Sequence, residues 1–565
     1  MIPVVWHDRP APGKNIGRGY WDQGLLERFF AGLLWRTGLR FEHRNDFPAG
    51  GAVVVIPARF HAADVDIINA ELARLDWCVV ILSSDEEALF PHDAIRHPNC
   101  RVWTATPHPD RFSGDRVLGH YLPPQATDLI AGCEHDERPL DWFWSGQANH
   151  TRREDLWKAL RRLPGGEAHR TPGFTQGMPP ADFYGRLCAA KVAPAPAGPA
   201  TPDSFRLWEA LEAGCVPIAD ACSARVPNGG YWVLFGDVPF PTVDDWRELP
   251  DVLASALADW SMLSVECSAW WQQHKRSLAK RLTADIIAVS GVVPERLVDD
   301  DVTVIVPTSP TPGHPSTDVI AETLASIRAQ LPAAQIIVTC DGVRPELEYR
   351  RPDYELYLRR LMWLCNHSPN VVPVVRRDHG HQGLTTRAAL ELVDTPMVLF
   401  VEHDTPLCGS IPWDGMAAAI RTGHANLIRL HHEASVLEPH RHLMLDSSPQ
   451  IVAGVPMLRT VQWSQRPHLA STEFYRRLIH RYFGSESRTM IEDVMHGVVD
   501  NAWRRHGEAG WDDWRIWLYA PDGDMKRSLH LDARGDDPKF EDQFVFAYDS
   551  DSVPEGAPYP TAWRR

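Results

Sequence analysis

Two acidic groups in the second half of the chain have the residue types and spacing for group-transfer chemistry. Met397-Val-Leu-Phe-Val-Glu-His-Asp places Glu402, His403 and Asp404 just past an apolar, strand-like run. Acidic side chains at the carboxyl end of a parallel strand lie at the crevice where such sheets take ligands. Oxygen ligands there suit Mg²⁺ or Mn²⁺, which bridges a carboxylate and a diphosphate. A polar strand terminus with no ligand is the plain alternative. Further on, Glu492 and Asp493 stand side by side in Thr489-Met-Ile-Glu-Asp-Val-Met-His-Gly. Neighbours on a helix face different ways, so one can act as a base while the other is structural. His530 lies between Leu529 and Leu531. It becomes a metal-ligand candidate only if the fold returns it to Asp404; a lone histidine of this kind is more often core or surface.

The first half carries a different pair of signals. In Phe143-Trp-Ser-Gly-Gln-Ala-Asn-His-Thr-Arg-Arg-Glu-Asp-Leu, a strand runs into a small-residue turn at Ser145 and Gly146. A helix follows, with Thr151 and Glu154 spaced as a capping box. Arg152 and Arg153 in its first turn oppose the helix dipole, while free backbone amides plus arginines make a diphosphate site. An ordinary strand–turn–helix with surface arginines explains the segment equally well. The stretch Lys191–Ile218 predicts a helix capped by Thr201 with Pro202 in its first turn, ended by Gly214 and followed by a strand. Arg206 and Glu209, three apart, share a face near its start. The carboxylate can accept hydrogen bonds from ribose hydroxyls and the arginine can meet phosphate. A surface ion pair is the competing explanation.

The elements that must position these residues alternate along the chain. Val4–Trp6, Val53–Ile56, Cys78–Leu82 and Arg101–Thr104 read as strands, with helices at Gly24–Thr37 and Asp64–Leu75 between them. A polar break follows near Cys133–Pro139, then a second alternating unit ending in a helical pattern at Trp260–Val289. After the acidic stretch Asp299–Asp301, a third unit has strands at Val302–Pro307, Gln335–Cys340, Val371–Val375 and Pro396–Val401. Helices are expected at Asp318–Gln330 and Thr385–Val393, and looser structure beyond about Asp404. Strands alternating with helices imply parallel sheets covered by helices. The chain of 565 residues is 44% hydrophobic and 23% charged, so three to five lobes are expected and a disordered or fibrous chain is excluded. Its net charge of −17 disfavours a nucleic acid polymer as partner but leaves room for a local basic pocket. The 10 cysteines form no C-x-x-C pair and read as reduced thiols. No long apolar run or leader-like start stands out. The 22 tryptophans read first as core, and second as faces for stacking on carbohydrate, especially Trp503–Trp517.

The residues Ser204, Arg206, Glu209, Ala210, Gly214, Cys215 and Pro217 resemble the signature of the exostosin-like glycosyltransferases, which have the two-lobed GT-B fold. Phe143–Arg153 is similar to that family's upstream phosphate-binding stretch. The resemblance implies a nucleotide-sugar donor on the second lobe, contacted by Gly146, Arg152, Arg153, Ser204, Arg206 and Glu209, and no metal. Asp8 and Asp22 are the candidate bases there. The second half resembles the family 2 glycosyltransferases of the GT-A fold. Its Val-rich opening strand, Asp341 after the next strand, Gly383 and Arg387, the Glu402-His403-Asp404 triplet and the Glu492–Asp493 pair follow that family's order. The resemblance implies Asp341, Arg387 and Glu402 as donor-binding, Asp404 and His530 as ligands of Mn²⁺ or Mg²⁺, and Asp493, beside Glu492, as the base.

The fold class expected is α/β: a GT-B-like pair of Rossmann-type lobes at 1–138 and 139–293, then a GT-A-like domain at 300–565. The function expected is a bifunctional, cytoplasmic glycosyltransferase, acting at the inner face of a membrane or free of it. Its partners are nucleotide-sugar donors and an oligosaccharide, polysaccharide or glycolipid acceptor, with cell-surface polysaccharide or lipopolysaccharide as product. Two alternatives stay open: one active GT-A head beside a degenerate GT-B module, and a non-catalytic nucleotide-sugar-binding protein.

Overall fold

The computed structural model describes residues 1–7, 39–83, 85–107, 116–119, 126–133, 135–173, 176–227, 229–293, 298–485 and 488–531. Asp8, Asp22 and the helix expected at 24–37 lie outside these residues. Contacts divide the chain into two compact units, Met1–Glu295 and Arg296–Arg565. Each is α/β.

The first unit holds two parallel sheets. One is built from β1 (Ile2–Trp6), β2 (Phe41–Arg44), β3 (Ala52–Pro57), β4 (Cys78–Ser83) and β5 (Cys100–Thr104), in the order β2-β1-β3-β4-β5. The other is built from β6 (Leu140–Gly146), β7 (Gly166–Arg170), β8 (Ala190–Ala195), β9 (Val216–Asp220) and β10 (Thr242–Val243), in the order β10-β9-β8-β6-β7. β3 and β4 are buried along their whole length, which is why their sequences AVVVIP and CVVILS are continuous apolar runs rather than alternating ones. A 31-residue helix, Trp260–Ser290, leaves the second sheet and packs Leu278, Leu282, Ile286 and Val289 against Val4, Trp6, Val53, Val79 and Trp103 of the first. Arg116 anchors the same helix through Asp285, at 2.7 Å.

Two expected caps differ from the observed ones. Thr151 is the first helical residue and His150 occupies the cap position, with no side-chain cap bond. The next helix starts at Phe205, after Ser204, rather than near Pro202. Asp203 is diverted to tertiary bonds from Tyr231 (2.5 Å) and Trp208 (3.3 Å), so residues 201–203 wrap into the core instead of starting the helix. Gly214 closes that helix at φ +71°, a left-handed conformation that glycine adopts freely.

The second unit is built on one mixed sheet. Its parallel side contains β11 (Val302–Thr308), β12 (Gln335–Cys340), β13 (Val371–Val375) and β14 (Met397–Phe400). The sheet then continues through β15 (Leu427–Arg429), β16 (Gln450–Val452), β17 (Val455–Arg459), β18 (His468–Ser471) and β19 (Ile516–Tyr519). The full order is β13-β12-β11-β14-β18-β15-β19-β17-β16. The regularity therefore does not fade after Asp404. The later strands are three to five residues long and partly antiparallel, so they lack the long apolar runs that mark β11 and β12. Trp511 and Trp517 are buried and meet edge to face at 5.3 Å, which places both in the core rather than on a glycan-facing surface.

Candidate functional site

In the second unit, β11, β12 and β14 all end at one cleft. It opens to solvent and is lined by Thr308, Asp341, His379, Glu402, Asp404 and His530 among others. The parallel strands explain this convergence, because their carboxyl ends share one edge of the sheet.

Asp341 directly follows β12 and is 3% exposed. Its two carboxylate oxygens accept the backbone N–H groups of Gly380 (2.7 Å) and His381 (2.9 Å). His379 Nδ1 lies 2.8 Å away and Arg376 Nε 3.5 Å away. Burial pushes this carboxyl up, but the bonds from His379 and Gly380 and the nearby imidazoles outweigh it and hold it below the usual range. Asp341 thus clamps the turn that enters the helix His381–Leu392. Gly342 permits the clamp: a Cβ there would sit 2.3 Å from the Asp378 carbonyl carbon and 2.5 Å from the His379 nitrogen. Gly342→Ala should therefore cost about 1–3 kcal/mol, read as a lowered unfolding midpoint of this unit in urea.

Glu402 and Asp404 differ sharply. Burial, then the charges of Asp404 and Glu492, push Glu402 up to about 8. Its Oε1 accepts from Gln382 Nε2 at 3.1 Å. Burial raises Asp404 too, but His530 and His403 bring it below the ordinary value, so it stays ionised. His530 Nε2 is 3.5 Å from Asp404 Oδ2. The return of the chain that brings it there is fixed by the Leu531 N–H donating to the Asp404 carbonyl at 2.8 Å. One ionised carboxylate and one imidazole suit Mn²⁺ or Mg²⁺ when a diphosphate and water complete the shell. Among the described residues no group of three His, Cys, Asp or Glu is placed to hold a metal by itself. Two such donors fit a metal where a phosphate and water supply the rest of its shell.

Glu492 and Asp493 open the helix Ile491–His506. Glu492 Oε2 accepts the Gln465 N–H at 3.0 Å. Gln465 in turn donates to Gln382, which also accepts from the Ile491 N–H at 3.1 Å and donates to Glu402. One polar chain therefore links the cleft carboxylates to the start of this helix. Burial, reinforced by the negative charge of Glu492, pushes Asp493 up to about 6. Arg387 does not line the cleft; it donates to the Phe483 carbonyl at 3.3 Å. Gln382 and Gln465 belong to no motif, and only a fold can gather them.

In the first unit, the expected donor residues converge at the carboxyl ends of β6, β8 and β9. Arg206 Nε donates to the Ser145 carbonyl (2.7 Å), one residue before Gly146, the buried end of β6. Arg153 Nε donates to the Ala197 carbonyl at 3.3 Å. Burial and then Arg206 lower the Arg153 guanidinium to about 10. Arg152 pairs with Asp220, whose other oxygen accepts the Ala197 N–H at 2.6 Å. Asp220 was not expected from the sequence; it is a buried carboxylate at the end of β9. Glu209, expected to meet a ribose, is 2% exposed, with one oxygen bonded by Tyr184 (2.9 Å) and the other by Arg206. Ser204 Oγ donates to the Pro196 carbonyl at 2.9 Å.

The sequence matches no protein-family model and no curated protein. Among solved structures it is similar to Staphylococcus aureus TarS residues 1–349, with 16% identity, 41% of this chain and 60% of that chain covered, and a TM-score of 0.26. It is also similar to the mannosyltransferase PcManGT from Pyrobaculum calidifontis in complex with GDP-Man and Mn²⁺ (16% identity, 39% and 55% covered, TM-score 0.25). A third is the bifunctional IspDF from Campylobacter jejuni (10% identity, 41% and 52% covered, TM-score 0.24). The chain spans between half and about three fifths of each of these proteins.

Proposed function

We propose that the second unit is an inverting glycosyltransferase that moves a sugar from a nucleoside diphosphate to a hydroxyl of a glycan or glycolipid acceptor. The observation that carries this reading is the polar chain Glu402–Gln382–Gln465–Glu492, which ties the cleft that holds Asp404 and His530 to the helix start that bears Asp493. Asp493 accepts the proton of the acceptor hydroxyl as that oxygen bonds to the anomeric carbon. The bond to the diphosphate breaks on the opposite face, which inverts the configuration. The upward shift of Asp493 places its basicity near neutral pH, where a base works best. Glu402, pushed up to about 8, adds no second negative charge beside a bound diphosphate near pH 7. Asp404 and His530 would hold Mn²⁺ or Mg²⁺, which when bound offsets the charge developing on the leaving group.

The test is calorimetric titration of the whole chain with UDP- and GDP-sugars, with and without Mn²⁺. Asp404→Asn should lower the Mn²⁺-dependent donor affinity about 10–100-fold. Unchanged affinity, or affinity indifferent to Mn²⁺ in the wild type, would contradict the role given to Asp404.

The first unit is proposed as a second nucleotide-sugar transferase module, which would make the chain bifunctional. Three arginines and a strand–turn–helix at the sheet's carboxyl edge support it. One observation favours a single active head instead: Glu209 is buried with both oxygens engaged, so a ribose would have to displace Arg206 or Tyr184. Among the described residues no helix is long and apolar enough to cross a membrane. We further propose a role in cell-surface polysaccharide or lipopolysaccharide synthesis at a cytoplasmic membrane face.

A further inference from the structure

We propose that Arg466 forms an acceptor subsite for an anionic group, a carboxylate or a phosphate, carried by the glycan that the second unit extends. The inference rests on the transferase reading of that unit and names the class of its acceptor.

Two backbone hydrogen bonds fix where Arg466 stands. The N–H of Gln465, one residue before it, donates to Glu492 at 3.0 Å. The carbonyl of Pro467, one residue after it, accepts from the Leu430 N–H at 2.8 Å. Arg466 is therefore held between the carboxylate pair that would activate the acceptor and the segment His431–His432. The His431 carbonyl is bonded by the N–H groups of Arg527 (2.7 Å) and Ser528 (3.1 Å), and the same returning segment carries His530 to Asp404. This region thus adjoins Glu492, the neighbour of the proposed base, on one side and the segment that brings His530 to Asp404 on the other.

Carboxyls face this charge, Glu492 toward Arg429 and Glu402 toward Arg466, but among the described residues none is bonded to the Arg466 guanidinium. Arg429 is 5% exposed, donates to Gln462 at 2.9 and 3.1 Å, and feels the carboxylate of Glu492. Its Nε has no hydrogen-bond partner. Arg466 is half-buried, and among the described residues its guanidinium forms no hydrogen bond or ion pair. Arg466 also pushes Arg429 down, so the two guanidiniums share one field. The nearby imidazoles of His431 and His432 bring no charge of either sign: burial first, then the arginines, lower both to about 4, where they are neutral at pH 7. A half-buried cation beside a second one gains most from an anion, and a guanidinium fork matches carboxylate or phosphate through two parallel hydrogen bonds.

The test uses the whole chain and matched acceptors: an oligosaccharide ending in galacturonate, its carboxyl-reduced galactose counterpart, and the same oligosaccharide ending in a sugar phosphate. The kcat/KM of the wild type should favour at least one charged acceptor over the neutral one by about tenfold, close to 1.4 kcal/mol. Arg466→Gln should bring that ratio near one, and Arg466→Lys should keep most of it. The carboxylate and phosphate arms show which anion is taken. Equal use of all three by the wild type overturns the inference, as does an equal loss on all three in Arg466→Gln. Calorimetric binding of the same acceptors without donor separates the two readings. Anion-dependent binding lost in Arg466→Gln upholds the subsite even where no sugar is transferred, and its absence in the wild type overturns it.

Discussion

Asp493→Asn should lower kcat for the transfer carried by the second unit about 10²–10⁴-fold, the range a positioned general base contributes. The fold should survive the change. Burial and Glu492 already disfavour the charged form of Asp493, so a neutral amide of the same shape removes a cost rather than a support. The linkage agrees in sign. A carboxyl whose folded value is raised contributes stability at low pH that is lost as pH rises from about 4 through about 6, so at pH 7 the variant should melt no lower than the wild type. In the wild type, kcat/KM should fall as pH drops through about 6, because the protonated carboxyl cannot take the acceptor proton. Glu492→Gln removes the neighbouring negative charge and should move that midpoint downward. If the first unit is an independent head, its transfer should be untouched by Asp493→Asn; loss of both transfers, or of neither, argues against separate heads.

Asp341→Ala should destabilise the second unit by about 3–5 kcal/mol, the cost of stripping a buried charge from its partners. It leaves the N–H groups of Gly380 and His381 without acceptors, and Arg376 and His379 without their carboxylate. Asp341→Asn is not a mild change either. Both oxygens accept backbone N–H groups, so an amide nitrogen in either place sets donor against donor, at about 1–3 kcal/mol. Thermal unfolding of the two variants beside donor titration divides the roles. Weaker donor binding with unchanged melting would mean that Asp341 serves the nucleotide alone. A lowered melting temperature in both variants, with weaker donor binding following from it, marks the clamp on the turn before His381.

Much of this arrangement is legible in the sequence, for reasons that also explain what is not. β11, β12 and β14 are buried on both faces and so contain no charge, and their ends point to Asp341, Glu402 and Asp404 directly. The helix Arg351–His367 is absent from the sequence reading although its buried residues Tyr354, Tyr357, Leu358, Leu361, Met362 and Cys365 keep helical spacing, so this element is legible. β15 to β19 escape because strands of three to five residues carry too little pattern to separate from loops. The polar chain of Gln382 and Gln465 and the guanidiniums of Arg429 and Arg466 have no signature at all. They become neighbours only when the antiparallel return of β18 lays residues 464–467 beside residue 430 and the helix at Ile491. In the first unit the arginines are visible as a cluster, whereas Asp220, which pairs with Arg152, reads in sequence as an ordinary strand end.

The most direct test of the second unit as an inverting nucleotide-sugar transferase is the mass and anomeric configuration of the product. The whole chain is incubated with Mn²⁺, a panel of UDP- and GDP-sugars and glycan acceptors, and compared with Asp493→Asn. The wild type should add one hexosyl-type residue, with configuration opposite to that of the donor, and Asp493→Asn should not. No added sugar from any donor, a product that retains the donor's configuration, or the same product at the same rate from Asp493→Asn would contradict it.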